Sequence, residues 1–205
     1  MPIAAFLAIA ILAVVSPGPD SLLVIRNTVS SSRRAGLYTA IGIAAGNLIH
    51  VGYSLVGIGL IIAKSIFLFT AIKTAGAAYL LFLGFKAVRA KPAATASLTH
   101  APMVHLTDSQ AFRTGFMCNV LNPKCTMFFL ALFTQLLNPA TSFAGKALYG
   151  LSLVAIAFSW FSLLTAMLSL PSVRERFTRF GHHAERAMGA MLMAIGIKVL
   201  VSHSR

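Results

Sequence analysis

Acidic residues are scarce in this chain: four Asp and Glu stand against 17 Lys and Arg in 205 residues, and charged residues of both signs make up only 10%. Soluble domains carry roughly a quarter. That shortage argues against an ordinary soluble fold. It also argues against chemistry that needs several carboxylates, because Asp20 is the one clear acid within an apolar stretch, and an ion or metal exporter would favour more of them. Cysteine is limited to Cys118 and Cys125, which on one helix are about 10 Å of rise apart, beyond disulfide geometry. No Cys or His set has metal-ligand spacing, and no catalytic dyad or cofactor motif stands out. The expectation is therefore neither an enzyme nor a cofactor or metal protein.

What the chain has in abundance is apolar sequence, with a mean hydropathy of +0.83 and 58% hydrophobic residues. Six stretches, 3–29, 37–63, 67–88, 112–137, 147–170 and 184–201, are near or above the roughly 20 residues that cross a bilayer as a helix. They predict an all-α, multi-pass integral membrane protein. The first is expected to be retained rather than cleaved as a secretory signal, since no Lys or Arg precedes Arg26 and the apolar pattern resumes after Asp20. A net charge of +13 would suggest nucleic acid in a soluble protein, but here the charge follows topology. Arg33, Arg34, Arg89, Lys91, Arg113, Arg174, Arg176, Arg179 and Arg186 lie in the odd-to-even connections, against Lys64, Lys146 and Arg205 on the other side. The positive-inside rule then puts those connections in the cytosol and both termini outside.

A linker over 91–111, containing Pro92 and Pro102, divides a single transporter domain, 1–205, into halves 1–90 and 112–205. The halves echo one another: Gly18-Pro19-Asp20 matches Asn122-Pro123-Lys124, Leu37-Tyr38 matches Leu148-Tyr149, and Gly84-Phe85-Lys86 matches Gly196-Ile197-Lys198. Three spans per half make the second half enter the membrane upside down, as an inverted repeat. Proline breaks interrupt the first and fourth spans at Ser16-Pro17-Gly18-Pro19-Asp20 and Leu121-Asn122-Pro123-Lys124. A proline in a helix frees backbone carbonyls that need partners in protein or water. Each break lies about ten residues, roughly 15 Å, from the cytosolic end of its span, near the midplane of a roughly 30 Å core.

These residues, together with Leu22-Leu23-Val24, Arg34-Ala35-Gly36, Gly42, Gly46, Gly76-Ala77-Ala78-Tyr79-Leu80, Leu83-Gly84, Asn119 and Phe128-Phe129, resemble the LysE/RhtB family of amino-acid exporters, the threonine and homoserine branch most of all. The resemblance implies six helices in the bacterial inner membrane, export of small amino acids or derivatives, and drive by the proton gradient. A homodimer is a candidate assembly.

A broken helix offers free N–H groups and a positive dipole end to a substrate carboxylate. Pro17, Gly18, Pro19, Asn122 and Pro123 shape these ends, and Gly18 allows close approach. Asp20 is the expected partner of the substrate ammonium or of the coupled proton. Lys124 either holds the substrate carboxylate or neutralises Asp20. Asn47, His50 and Ser54 share a face of the second span. Asn47 suits a cavity lining, and His50 either packs or relays protons. Trp160, mid-span, is a candidate pocket wall. Asn119 is expected to satisfy carbonyls freed by Pro123 rather than touch ligand. A membrane thiol-redox protein and a cation or metal exporter of related architecture are the alternatives; a relay between halves would want a cysteine in each, and both lie in the fourth span.

Overall fold

The computed structural model describes residues 3–16, 18–64, 66–89, 104–136 and 141–170, with 186–187, 189–190, 193–194 and 197 near the end. Pro17, most of the sixth expected span, the linker up to residue 103, and Arg174, Arg176 and Arg179 lie outside the described residues. Among the described residues there are only helices and no strands.

Helix α1 (Ile3–Val15) and α2 (Pro19–Ser30) are the two parts of the first apolar stretch, bent by 52° at the break. Pro19 opens α2, where its missing N–H would have no intrahelical partner anyway. Helix α3 (Arg33–Lys64) and α4 (Ile66–Val88) cover the second and third stretches. The fourth divides into α5 (Asp108–Val120) and α6 (Pro123–Leu136), bent by 54° with proline again first in the second part. α7 (Phe143–Leu168) is the fifth, started by the Ser142 hydroxyl accepting from the Gly145 N–H.

Hydropathy places the starts too late. α5 begins at Asp108 rather than 112 because Thr107 and Gln110 form a reciprocal capping box, which satisfies two orphan N–H groups. The expected linker is therefore helical in its last turn. Just before it, the Val104 N–H donates to the Ser30 carbonyl at 2.8 Å and the Leu106 N–H to the Ser31 hydroxyl at 3.2 Å, tying this strand of chain to the end of α2. Beside it, Arg34 and Asp108 make a bidentate pair at 2.6–3.1 Å that joins the starts of α3 and α5.

The burial pattern departs from that of a soluble protein. Leu48, Ile49 and Val56 on α3 and Leu148, Leu151 and Leu163 on α7 are exposed, while Asp20, Asn27, Thr39, Asn47, His50, Asn119 and Asn122 are buried. Apolar surface on that scale outside and polar groups inside is what lipid contact requires. Among the described residues, 33–56 and 143–168 are long and apolar enough to cross a membrane singly, and each bent pair qualifies if counted as one span.

Two apolar clusters form the core. Phe6, Ala10 and Ala13 of α1 pack with Val51, Phe129, Phe133 and Leu153, whereas Val24 and Ile25 of α2 pack with Ile43, Phe161 and Leu164. On α3, Asn47 falls between Ile43 and Val51, four residues from each. The breaks thus lie where one core gives way to the other, leaving a polar layer between them.

Helices α3 and α5 cross at backbone distance. A Cβ on Gly42 would run into the Phe112 carbonyl oxygen, and one on Gly115 into the Thr39 carbonyl oxygen. Small residues at such a crossing let carbonyls and N–H groups approach where lipid drives no hydrophobic association. Gly42→Leu is expected to separate the pair, costing more than the ~1–3 kcal/mol of ordinary overpacking because rigid backbone meets the new side chain. Membrane accumulation and melting in detergent check this: the variant should be largely lost, and parent-like melting would show that the crossing is not tight.

Candidate functional site

Asp20 heads α2 and is 7% exposed. Its carboxylate accepts from the Asn119 Nδ2 at 2.7 Å and the Asn122 Nδ2 at 3.2 Å, and from the Cys118 and Cys125 thiols at 3.4 Å each. Each carboxylate oxygen thus takes one amide and one thiol donor. All four come from the broken fourth stretch, about 100 residues away, and they solvate a charge that lipid would exclude.

The reverse contact runs from Lys124, on the first turn of α6, whose Nζ donates to the Ser16 carbonyl at 2.6 Å. Ser16 sits at the end of the first half-helix, where carbonyls lose their onward partners. Gly18 makes room, since a Cβ there would come within 3.2 Å of the lysine Cδ and Nζ. Asn122 closes its own break by accepting the Lys124 N–H on Oδ1 at 3.0 Å. The two interruptions are thus bonded to each other.

Around them is a cavity of about 50 Å³, enough for a few ordered waters at the ~10–15 Å³ each needs. Gly18, Asp20, Asn47, Asn122 and Lys124, all singled out in the sequence, line it. Ser16, Ser21 and Cys125 add polar wall, and Phe128, Phe129 and Phe161 add aromatic wall.

The other candidates stand elsewhere. Pro19 and Pro123 are exposed and begin the second half-helices. Trp160 packs on the α2-side core instead of lining the cavity. His50 is 1% exposed, with Nε2 donating to the Asn119 carbonyl at 3.0 Å and Nδ1 meeting the Tyr53 hydroxyl at 2.7 Å. The carbonyl that Pro123 leaves without its usual donor is that of Asn119, four residues back; it accepts from the Asn122 N–H at 3.0 Å and from His50 Nε2 at 3.0 Å, not from the Asn119 side chain. The Asn119 side chain instead holds Asp20, a role its sequence position suggested only through its spacing of one turn from Asn122. The i, i+7 spacing of Cys118 and Cys125 is compatible with a shared helix face but does not indicate which group both thiols would meet.

Oppositely charged groups from paired proline breaks, enclosed by helices with apolar exteriors, are the construction of a membrane translocator. The sequence profile described as LysE type translocator matches residues 11–203. The threonine efflux protein of Escherichia coli K12 is 30% identical over 194 residues, 94% of each chain. The threonine efflux protein of Salmonella typhi is 28% identical over 195 residues, again 94% of each. An uncharacterized membrane protein of Bacillus subtilis is 29% identical over 205 residues, 97% of this chain and 98% of its own. No solved structure matches. This chain belongs to the LysE-type translocator family.

Proposed function

We propose that this protein exports small amino acids, threonine among them, across the bacterial inner membrane and is driven by the proton gradient. In this reading six spans form two inverted three-helix repeats, 1–90 and 112–205, joined by the cytosolic segment 91–111. The observation that carries it is that Asp20 and Lys124, opposite in sign and drawn from the two breaks, line one cavity. A zwitterion needs both signs. Asp20 takes the substrate ammonium, and Lys124 takes the carboxylate alongside first-turn N–H groups of the half-helices. Asn47 and Asn122 complete the polar wall, while Phe129 and Phe161 meet the side chain. The threonine efflux relatives support this substrate class.

Cells preloaded with a panel of amino acids test the function. Expression of the protein is expected to speed loss of threonine-sized neutral amino acids over that of large or basic ones. Equal loss with and without the protein across the panel would reject the proposal. Single reporter fusions test the topology: positions near Arg34, Arg89 and Arg174 are expected on the cytosolic side. An odd number of crossings between Met1 and Arg205 would contradict both the topology and the inverted repeat.

A further inference from the structure

We propose that His50 is a positioning residue: its Nε2–H fixes the Asn119 carbonyl, and through Asn119 it sets the Asp20 carboxylate for the substrate ammonium. The inference rests on the exporter reading above for its ligand. In an uninterrupted helix the Asn119 carbonyl would accept from the N–H of residue 123, and proline has none. The Asn122 N–H turns back to this carbonyl at 3.0 Å, and His50 fills its second acceptor site from α3 at 3.0 Å, the one of these two donors that comes from outside the broken stretch. A carbonyl can only accept, so the proton is on Nε2. The ring is held on its remaining sides by the Tyr53 hydroxyl at 2.7 Å and by Phe129, stacked 5.3 Å away with the planes 19° apart.

Asn119 is fully buried and packs closely against α3. His50 takes its backbone. One turn earlier Gly46 leaves the room that the carboxamide occupies, since a Cβ there would come within 2.5 Å of Oδ1. The Asn119 Nδ2 donates to Asp20 at 2.7 Å and, more weakly, to the Cys125 sulfur at 3.3 Å. With His50 lost, the Asn119 carbonyl keeps only donors of its own break, such as the Asn122 N–H, and the shortest donor to the carboxylate loses its tie to α3.

A proton relay fits these contacts poorly. The ring nitrogens end on a peptide carbonyl, which carries no exchangeable proton, and on a phenol hydroxyl. Between ring and Asp20 stands Asn119, whose carboxamide is no acid or base in this range.

Two isopolar variants separate the roles, because Gln reaches as far as Nε2 and Asn only as far as Nδ1. His50→Gln keeps the donor to Asn119 and cannot titrate. His50→Asn loses that donor. Efflux of radiolabelled threonine from vesicles holding the purified protein is expected to show a KM within about twofold of the parent for Gln and about tenfold higher for Asn, the size of one lost hydrogen bond. Turnover and its pH profile should stay close to the parent in both.

The second readout needs no substrate. With only four Asp and Glu in the chain, the Asp20 carboxylate stretch can be isolated by infrared difference between each protein and its Asp20→Asn counterpart. That band should coincide in parent and Gln and shift in Asn. Equal impairment of both variants with loss of stimulation by the gradient would make His50 a relay and overturn the proposal. So would a Gln variant that fails to accumulate, or an unshifted band in Asn. If the parent exports no threonine, the exporter reading fails while the band comparison still decides the role of His50.

Discussion

Asp20→Asn is expected to insert in the membrane and lose net efflux by about 10- to 100-fold, the range set by ~1.5–3 kcal/mol for a hydrogen bond to a charged group. Geometry explains both parts of this expectation. The carboxylate faces four donors, two on each oxygen. An asparagine offers one acceptor oxygen, and its NH2 would meet the N–H of either Asn119 or Asn122. Those carboxamides can turn to present oxygen instead, so the fold survives with local rearrangement. The charge has no such substitute. Without it the substrate ammonium enters a low-dielectric cavity with no anion to meet it. Rates measured at matched protein level check the result. Unchanged, proton-driven transport would reject any binding or coupling role for Asp20, and failure to insert would assign the residue to folding.

Lys124→Gln is expected to have the second largest effect and to separate two functions of one side chain. Glutamine, one bond shorter than the lysine that now reaches the Ser16 carbonyl at 2.6 Å, is expected to donate to it after a small local shift. It therefore preserves the bond between the two breaks while removing the positive charge. Affinity for intact amino acids should fall about tenfold, since a charge-assisted hydrogen bond is worth ~1.5–3 kcal/mol and a neutral one roughly half that. Analogues with an amidated carboxyl group should lose much less, having no carboxylate to pair. Lys124→Ala removes the donor to Ser16 as well and is expected to lower accumulation. The double variant Asp20→Asn, Lys124→Gln discriminates further. If the two charges served only to neutralise each other, removing both would restore transport, because a neutral pair avoids the desolvation of lone ions. Transport at the parent level in the double variant would rule out the two-point clamp; loss in both singles and the double, with normal insertion, supports it.

The parts of this structure legible in the sequence are those set by local chemistry. Proline at 19 and 123 breaks a helix wherever it occurs in an apolar run, so both bends were visible, and the charge beside each marked a polar site. Gly42 fits the same logic, since a small residue in a membrane helix signals close approach. The start of α5 was also written locally, in Thr107 and Gln110, but a hydropathy window averages over a capping box. What remained hidden depends on partners far apart in sequence. The Asp20 donors lie 98 to 105 residues away, and which side of α5 and α6 faces them is decided by the 54° bend. Trp160 depends on partners in the same way: mid-span depth suggested a cavity wall, and in the fold it packs on the α2-side core, whose Phe161 lines the cavity.

The central claim, that the joined breaks are the site of amino-acid export, is tested most directly with purified parent and Asp20→Asn proteins in vesicles loaded with radiolabelled threonine or another amino acid of the panel. Efflux is followed with and without an imposed pH gradient. The predicted result is saturable efflux from the parent vesicles, faster when the gradient is applied, and near the protein-free level in the variant at the same protein content. Parent efflux no faster than from protein-free vesicles for every amino acid of the panel, or equal rates from parent and variant, would contradict the account.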